Sequence, residues 1–265
     1  MRTALTIAGS DPSGGAGIQA DLKTFAALGV YGASAITALT AQNTIGVAGI
    51  VAVSADFVTT QIETIAGDIA INATKIGMLA TAAIVEAVAA AVEDLDLPLV
   101  VVDPVMVSST GERLLEQDAV QALRSELLPL ARVVTPNVPE AEALSGRRIQ
   151  SMADARDAAK RIQDMGPRAV IITGGHSRIP NPDSRITDLL LDDHEWHEFA
   201  VERVEAPPLH GTGCTYASAV AAGLALGRDL AEAARAAQQY VAGAIRHATP
   251  VGRGRVPLNH GWRVY

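Results

Sequence analysis

The hydrophobic pattern of this chain alternates short, mainly apolar runs with longer stretches of helical periodicity. Each apolar run ends in a polar or glycine-rich tip, and the runs cover 4–8, 33–39, 73–76, 99–102, 132–134 and 169–172. Helical patterns separate them, near 18–28, 56–69, 81–94, 118–128, 140–144 and 153–165. Such alternation predicts an α/β fold with a mainly parallel sheet and right-handed crossovers. The polar tips then share the carboxyl edge of the sheet, where open α/β sheets bind ligands.

The pattern changes after residue 176. A turn-rich loop at 179–183 precedes two strand-like runs, 186–191 and 197–201, which predict a β-hairpin around 192–195. A run of small residues at 216–225 and a longer pattern at 230–249 predict two more helices, followed by a glycine-containing tail. Because no linker or shift in composition interrupts the chain, we expect residues 1–265 to form a single domain.

Composition narrows the class of protein. Hydrophobic residues make up 49% of the chain and aromatic residues only 3%, which suits an aliphatic core between a sheet and its helices. The charge-free stretch 24–55 is broken by glycine and polar residues, so we expect a buried strand and its helix there, and no membrane span. A net charge of −8 disfavours nucleic acid and anionic membranes as partners. One cysteine and an N-terminus that enters a strand at once favour a cytoplasmic location.

The segment His210-Gly211-Thr212-Gly213-Cys214-Thr215 precedes the run of small residues. Two glycines with positive φ would turn successive N–H groups toward one concavity, and the following helix would add its own free N–H groups and dipole. We call this predicted anion-binding turn, residues 211–214, the cup. We expect the pKa of Cys214 to be lowered there. The alternatives are a simple tight turn and a small buried cysteine.

A second glycine-rich loop, residues 9–17, follows the first strand. Residues 15–20 fit the dinucleotide-binding pattern G-x-G-x-x-A, which requires an acidic residue about 20 positions later. After Asp21 the next carboxylate is Asp56, so we reject a dinucleotide site. The phosphate-binding pattern G-x-x-x-x-G-K-[ST] is absent from the sequence.

Four strand tips carry candidate chemistry. Asp103 would repel an anion in the cup unless a cation lies between them, which indicates Mg²⁺ bound largely through water. Asn137 and Glu140 offer a second acidic tip and also fit a helix-capping box, and the two roles are compatible. Gln42 and Met78 suit the edge and face of a heteroaromatic ring, although a loop amide and a core methionine are the alternatives. The six histidines show no metal-binding spacing.

Together these segments resemble one enzyme family. The likeness runs in order through 8–23, 40–44, 75–79, 102–105, 135–141, 174–176 and 210–215. The chain is similar to the hydroxymethylpyrimidine/phosphomethylpyrimidine kinases of thiamine biosynthesis. The resemblance implies a ribokinase-like, three-layer α/β/α fold with a mainly parallel central sheet and a small β-hairpin flap.

The resemblance also implies a reaction. ATP would phosphorylate the hydroxymethyl group of 4-amino-5-hydroxymethyl-2-methylpyrimidine, and a second ATP would convert the monophosphate to the diphosphate. The implied cofactors are ATP and Mg²⁺, with K⁺ as a candidate second cation, and the implied assembly is a homodimer. Cys214 matches the catalytic base, and the N–H groups of Gly211, Thr212 and Gly213 match the site that stabilises the transferred phosphoryl group.

The remaining site residues follow from the same matching. The substrate ring would lie among Ala16, Asp21, Gln42, Met78 and Val105. The ATP side would comprise Asp103, Asn137, Glu140, Thr173 and Gly175, with Asp103 and Glu140 holding the metal through water.

Two departures from the family pattern bear on nucleotide binding. Thr173 stands where the family commonly has a lysine, and Pro207-Pro208-Leu209 replaces a polar segment. We therefore expect any change to fall on ATP affinity and rate before substrate class. Two alternatives stay open: a pyridoxal or pyridoxine kinase of vitamin B6 salvage, and a catalytically weak pyrimidine-binding module.

Overall fold

The structure, a computed structural model, describes residues 1–108, 110–112, 114–176 and 185–264. The helices are α1 (Gly17–Ala27), α2 (Ala55–Ala66), α3 (Ala82–Asp94), α4 (Gln117–Ala122), α5 (Val138–Ser145), α6 (Met152–Gln163), α7 (Thr212–Ala225) and α8 (Leu230–Arg246). The strands are β1 (Thr3–Ser10), β2 (Tyr31–Gln42), β3 (Val47–Ala52), β4 (Ala73–Ile76), β5 (Val100–Val102), β6 (Val133–Val134), β7 (Ala169–Ile172), β8 (Arg185–Asp192), β9 (Glu195–Glu202), β10 (Leu209–His210) and β11 (Val256–Pro257). All six predicted strands of the alternating region are confirmed. The predicted loop at 179–183 lies outside the described residues.

Within the described residues, nine strands form one sheet in the order β3-β2-β1-β4-β5-β6-β7-β8-β9. Strands β2, β1, β4, β5, β6 and β7 are parallel, as predicted. The chain order reverses between β1 and β4, because β1 pairs with β2 on one side and with β4 on the other. This switch point leaves a crevice at the carboxyl ends of β1 and β4, where ligands bind in such sheets.

Helices cover both faces of the sheet and complete the predicted three layers. Alternate residues of the buried strands point to opposite faces. Val100 and Val102 of β5 pack on the side of α2 to α6, whereas Val101 packs on the side of α1, α7 and α8. None of the described helices is both long and apolar enough to cross a membrane.

Two sequence predictions need correction at the sheet edges. The stretch 24–55 does not hold one buried strand and its helix: β2 turns back into the antiparallel β3, whose residues are nearly all exposed. The predicted hairpin is confirmed as β8 and β9, but it is no separate flap. Its β8 pairs antiparallel with β7 and so extends the central sheet. An apolar pattern reports strand propensity and does not show which strand forms an edge.

A buried ion pair links the sheet to the helices beneath the crevice. Lys75 of β4 and Asp21 of α1 are fully buried, and Nζ lies 2.9 Å from Oδ2 of Asp21. The hydroxyls of Thr6 in β1 and Ser218 in α7 donate to the same carboxylate, each at 2.6 Å. Four elements therefore meet at one carboxylate, whose charge is matched by an ammonium and by neutral donors.

We expect Asp21→Asn to lower the free energy of unfolding by about 3–5 kcal/mol, because it leaves the Lys75 ammonium buried without its partner. The matched control is Asp193→Asn, which removes the carboxylate of an exposed pair with Arg168. Urea unfolding of both variants measures the difference. Equal small losses would show that the buried pair does not hold these elements together.

Candidate active site

Helix α7 begins with the cup. Gly211 is its N-cap residue, with φ 85° and ψ 15°, and a Cβ there would overlap the carbonyl oxygen of Gly15. Only glycine fits this position. The predicted positive φ is thus confirmed for Gly211 and wrong for Gly213, which lies inside the helix. An anion in the cup would therefore be held by the helix start, whose first N–H groups have no partner within the helix.

The glycine-rich loop at residues 9–17 is joined to the cup by a buried Asp11–His210 pair. Nε2 of His210 lies 2.8 Å from Oδ2 of Asp11, and the N–H of Ala16 donates to that oxygen at 2.9 Å. A Cβ on Gly15 would come within 2.5 Å of the His210 ring. Burial opposes ionisation of Asp11, but hydrogen bonds from His210 and Ser13 lower its pKa below the ordinary value. These contacts place Ala16 next to the cup, and its role in substrate binding stays a prediction.

Cys214 lies in the first turn of α7, with its thiol partly exposed. The expectation of a lowered pKa is wrong for this state. Protein encloses most of the thiol, and this burial raises the pKa of Cys214 to about 12. The ammonium of Lys75 acts in the opposite direction, while the carboxylates of Asp103 and Asp21 add to the rise. Cys214 is therefore a neutral thiol in this structure, next to one fixed positive charge.

Asp103 and Glu140 form a pair of buried carboxyl groups beside the cup. Burial raises the pKa of Asp103 to about 6 and that of Glu140 to about 8, and the charge of Asp103 adds to the rise at Glu140. Oδ2 of Asp103 is buried and has no hydrogen-bond partner among the residues that the structure describes. A Cβ on Gly213 would lie 3.8 Å from Oδ1 of Asp103, which puts this carboxylate at the start of α7.

This pair fits a hard divalent cation. Two buried carboxyl groups that favour protonation gain from a nearby positive charge, and the free Oδ2 of Asp103 offers an acceptor. No group of three or more metal-ligating side chains occurs in the part of the chain that the structure describes. Mg²⁺ is commonly held by one or two carboxylates, with water and phosphate completing its octahedron. The placement of Asp103 and Glu140 is compatible with that arrangement.

The predicted ATP side lies at the tips of β6 and β7. Asn137 and Glu140 form a complete capping box at the start of α5, so the helix-capping interpretation is confirmed. The N–H of Thr173 donates to the carbonyl of Pro136 at 3.0 Å, which brings Thr173 alongside Asn137. Gly175 is exposed beyond it. These residues and Asp103 thus occupy neighbouring tips of one sheet edge.

The predicted ring residues lie at or beyond the carboxyl ends of β1, β2, β4 and β5. Gln42 ends β2, and its Nε2 lies 3.2 Å from Nε2 of His210, which connects it to the cup. Met78 is buried in a small apolar cluster with Ala38 and Val105. Its core interpretation is therefore confirmed, and the same cluster forms an apolar surface next to Gln42's strand.

Asp21 is placed differently from the other predicted ring residues. It is fully buried, and its oxygens accept bonds from Thr6, Lys75 and Ser218. In this structure it lies beneath the site and supports Lys75, without a surface that a ring could touch.

Sequence reasoning gave no role to Lys75 or to the Asp11–His210 pair. The signal for Lys75 was a lysine inside the otherwise uncharged strand β4, since a lysine on a fully buried strand requires a partner. Its partner Asp21 is 54 residues away in the chain. Asp11 and His210 are 199 residues apart. Separations of this size carry no spacing signal that a single sequence could reveal.

A mainly parallel α/β sheet with an anion-binding helix start, a thiol and an acidic pair at one edge defines a small-molecule kinase of the ribokinase-like class. The chain belongs to the phosphomethylpyrimidine kinase family, whose model matches residues 11–259. The hydroxymethylpyrimidine/phosphomethylpyrimidine kinase of Synechococcus elongatus is 46% identical over 262 residues, covering 99% of this chain and 98% of the relative.

Two further relatives are a longer bifunctional protein and a kinase of known structure. The thiamine biosynthesis bifunctional protein ThiED of Geobacter sulfurreducens is 48% identical over 97% of this chain, and the match spans 51% of that longer protein. A crystal structure of Bacillus subtilis pyridoxal kinase, an ADP complex, superposes with a TM-score of 0.90 at 38% identity and covers 100% of both chains. The fold expected from the sequence is thus confirmed.

The buried carboxyl of Glu140 predicts a pH dependence of stability. Its pKa of about 8 in the folded state exceeds the ordinary value of 4.5, so the folded protein binds more protons between these values. The contribution of Glu140 is therefore favourable at low pH and is lost as the pH rises toward 8. We expect the free energy of unfolding to fall less steeply between about pH 5 and pH 8 in Glu140→Gln, which keeps the capping box.

Urea unfolding across that pH range, without divalent cations, measures this slope. Glu93→Gln, an exposed carboxylate of α3, serves as the control and should keep the wild-type slope. Parallel curves for wild type and Glu140→Gln would contradict the assignment.

Proposed function

We propose that this chain is a kinase that uses ATP to phosphorylate the hydroxymethyl group of 4-amino-5-hydroxymethyl-2-methylpyrimidine and then its monophosphate. The position of Cys214 is the observation that carries the proposal. The chain's one thiol stands in the anion-binding turn, beside Asp103 and within the field of Lys75. Membership of the phosphomethylpyrimidine kinase family supports the substrate class.

In the proposed reaction, Cys214 as thiolate takes the proton of the substrate hydroxyl. The hydroxyl oxygen forms a bond to the γ-phosphorus, the bond to the bridging oxygen breaks, and ADP leaves. The N–H groups of Thr212 and Gly213 would stabilise the charge on the transferred group. Lys75 is the fixed cation that favours the thiolate. Mg²⁺ near Asp103 and Glu140 would supply charge neutralisation for the phosphates.

The ligands would lie on either side of the cup. Gln42, Ala16, Met78 and Val105 are proposed to surround the pyrimidine, with the amide of Gln42 reading the ring edge. Asp21 lies beneath these residues and holds Lys75 in place. The proposed nucleotide side comprises Asn137, Glu140, Thr173 and Gly175 with Asp103, and K⁺ is a candidate second cation. The ADP complex of the pyridoxal kinase relative supports nucleotide binding at this fold.

The proposal includes a cytoplasmic enzyme in which residues 1–265 act as one domain. A single sheet carries both apolar clusters, which supports the unity of the domain. The lone cysteine, free in the structure, supports a reducing compartment.

We expect purified wild-type protein to form both the mono- and the diphosphate from hydroxymethylpyrimidine, ATP and Mg²⁺, followed by mass spectrometry. Cys214→Ser should lower turnover by about 100-fold or more, because an alcohol is a far weaker base than a thiolate. Binding of the pyrimidine, measured by calorimetry, should be retained, which separates a catalytic loss from a folding defect. Unchanged turnover in Cys214→Ser would remove the thiol from the mechanism.

A pyridoxal or pyridoxine kinase is the second candidate, because the Bacillus subtilis relative shares the fold over the full chain. Turnover of pyridoxal and of hydroxymethylpyrimidine under the same conditions separates the two functions, and a large preference for pyridoxal would replace our assignment. Pyrimidine binding without any phosphate transfer would instead favour a catalytically weak binding module. Thr173, which stands in place of a lysine, is the residue that suggests this alternative.

We also propose a homodimer formed through the β2–β3 edge. Strand β3 ends the sheet, and an unpaired apolar strand exposed to water is a template for association. Leu39, Ile45, Ile50 and Val51 are exposed there, Val51 by 68%. A second copy of the chain offers the same apolar surface, which a symmetric dimer would cover.

We expect Val51→Lys to convert the dimer to a monomer, because it places a charge on the apolar edge. The matched control is Val264→Lys, a similarly exposed valine, 59%, in the C-terminal segment. Light scattering coupled to size exclusion measures the masses. A wild-type monomer, or a dimer that persists in Val51→Lys, would contradict this interface.

A further inference from the structure

The C-terminal segment, residues 247–264, contacts the residues on either side of the cup, His210 and Thr215. Strand β11 pairs in parallel with β10, so that Pro257 lies opposite His210, immediately before Gly211. Farther along, the hydroxyl of Tyr240 donates to the carbonyl of His260 at 2.6 Å. This second anchor fixes the backbone of the segment next to the first turn of α7.

The side chain of His260 reaches that turn. It is 5% exposed, and its Nε2 lies 3.0 Å from Oγ1 of Thr215. Oγ1 of Thr215 lies in turn 2.7 Å from the carbonyl oxygen of Gly211. The three groups form a continuous chain of contacts from the C-terminal segment to the N-cap of α7.

The direction of the hydrogen bonds between His260, Thr215 and Gly211 follows from which of these groups can donate. A carbonyl oxygen only accepts, so the one hydroxyl hydrogen of Thr215 is donated to Gly211. Oγ1 must then accept from His260, which therefore carries its hydrogen on Nε2. Burial lowers the pKa of His260 to about 4, with a smaller effect of Lys23, and this keeps the ring neutral at neutral pH.

The carbonyl of Gly211 and the N–H of Thr212 belong to one rigid peptide group. They point in opposite directions, so a carbonyl held along the helix aims the Thr212 N–H out of the helix start, into the cup. Gly211 has no Cβ and left-handed φ, and glycine backbone rotates more freely than any other. The bonds from the N–H and the hydroxyl of Thr215 to this carbonyl restrain that rotation.

We propose that His260 is a positioning residue for phosphoryl transfer, which acts through Thr215 to fix the Gly211–Thr212 peptide and so to aim an N–H group at the transferred phosphoryl group. This inference rests on the proposed function, because it assigns the cup its role in that reaction. His260 touches neither substrate nor phosphate. Its effect is expected in the rate of transfer and not in the affinity for the pyrimidine.

The test compares two matched pairs of full-length variants. Thr215→Val removes the hydroxyl and keeps the shape, whereas Thr215→Ser keeps the hydroxyl. His260→Leu removes the donor, whereas His260→Gln places an amide N–H near the position of Nε2. We expect kcat to fall about tenfold in Thr215→Val and His260→Leu, less than the loss of a whole oxyanion donor, with KM for the pyrimidine unchanged. Thr215→Ser and His260→Gln should restore most of the rate.

Two further variants separate positioning from folding. Tyr240→Phe removes one anchor of the segment while β11 keeps its pairing with β10, so it should lower the melting temperature and reduce kcat much less than His260→Leu does. The double variant Thr215→Val/His260→Leu should be no slower than either single variant, because both break the same chain. Equal kcat in Thr215→Val and Thr215→Ser would overturn the proposal. A loss in Tyr240→Phe as large as in His260→Leu would also overturn it.

A second readout does not depend on turnover. Cys214 is the only cysteine of the chain, so its alkylation by iodoacetamide, and the protection given by inorganic phosphate, report on the cup. The phosphate concentration that halves the rate of Cys214 alkylation should rise several-fold in Thr215→Val and His260→Leu. It should stay near the wild-type value in Thr215→Ser. If wild-type protein forms no phosphorylated product, the proposed function is refuted. The phosphate-protection series would still show whether His260 controls the geometry of the cup.

Discussion

The buried ion pair between Lys75 and Asp21 is the constraint on which the site depends. A lysine on a fully buried strand is tolerated only with a matching charge, and Asp21 reaches it from α1 across the sheet. Thr6 and Ser218 complete the hydrogen bonds of the carboxylate. Because Ser218 lies one turn after Cys214 on α7, the pair fixes the helix that carries the cup and supplies the cup with its nearest fixed positive charge.

Among the described residues, negatively charged groups outnumber positively charged ones around the cup. Within the part of the chain that the structure describes, the carboxylates of Asp103 and Asp21 act against the Lys75 ammonium at Cys214, and Asp103 also acts on Glu140, so these carboxylates contribute to the raised pKa values of Cys214 and Glu140. Burial is unfavourable for the ionised carboxylate of Asp103 and raises its pKa, and a divalent cation beside it would offset that penalty. Burial and this negative charge together raise the pKa values of Cys214 and Glu140, and a cation bound beside Asp103 would lower both.

The scaffold around the cup is made by parts of the chain that are far apart in sequence. The first glycine-rich loop contributes Asp11, the segment before α7 contributes His210, and the C-terminal segment contributes His260. The residues that we propose to contact the substrate ring are fewer, chiefly Gln42 and the apolar cluster around Met78. A hydroxymethylpyrimidine/phosphomethylpyrimidine kinase and a pyridoxal kinase both match this chain over almost its full length, so the fold alone does not determine which ring is phosphorylated.

The sequence by itself determined the alternating strands and helices, because buried parallel strands are continuous apolar runs, and it located the cup and the capping box through short local motifs. Tertiary structure decided what depends on burial and distant neighbours. It made β3 an exposed edge and joined β8 to the sheet, since an apolar run does not record its partners. It also raised the pKa of Cys214, because desolvation and the field of remote carboxylates outweigh the helix start.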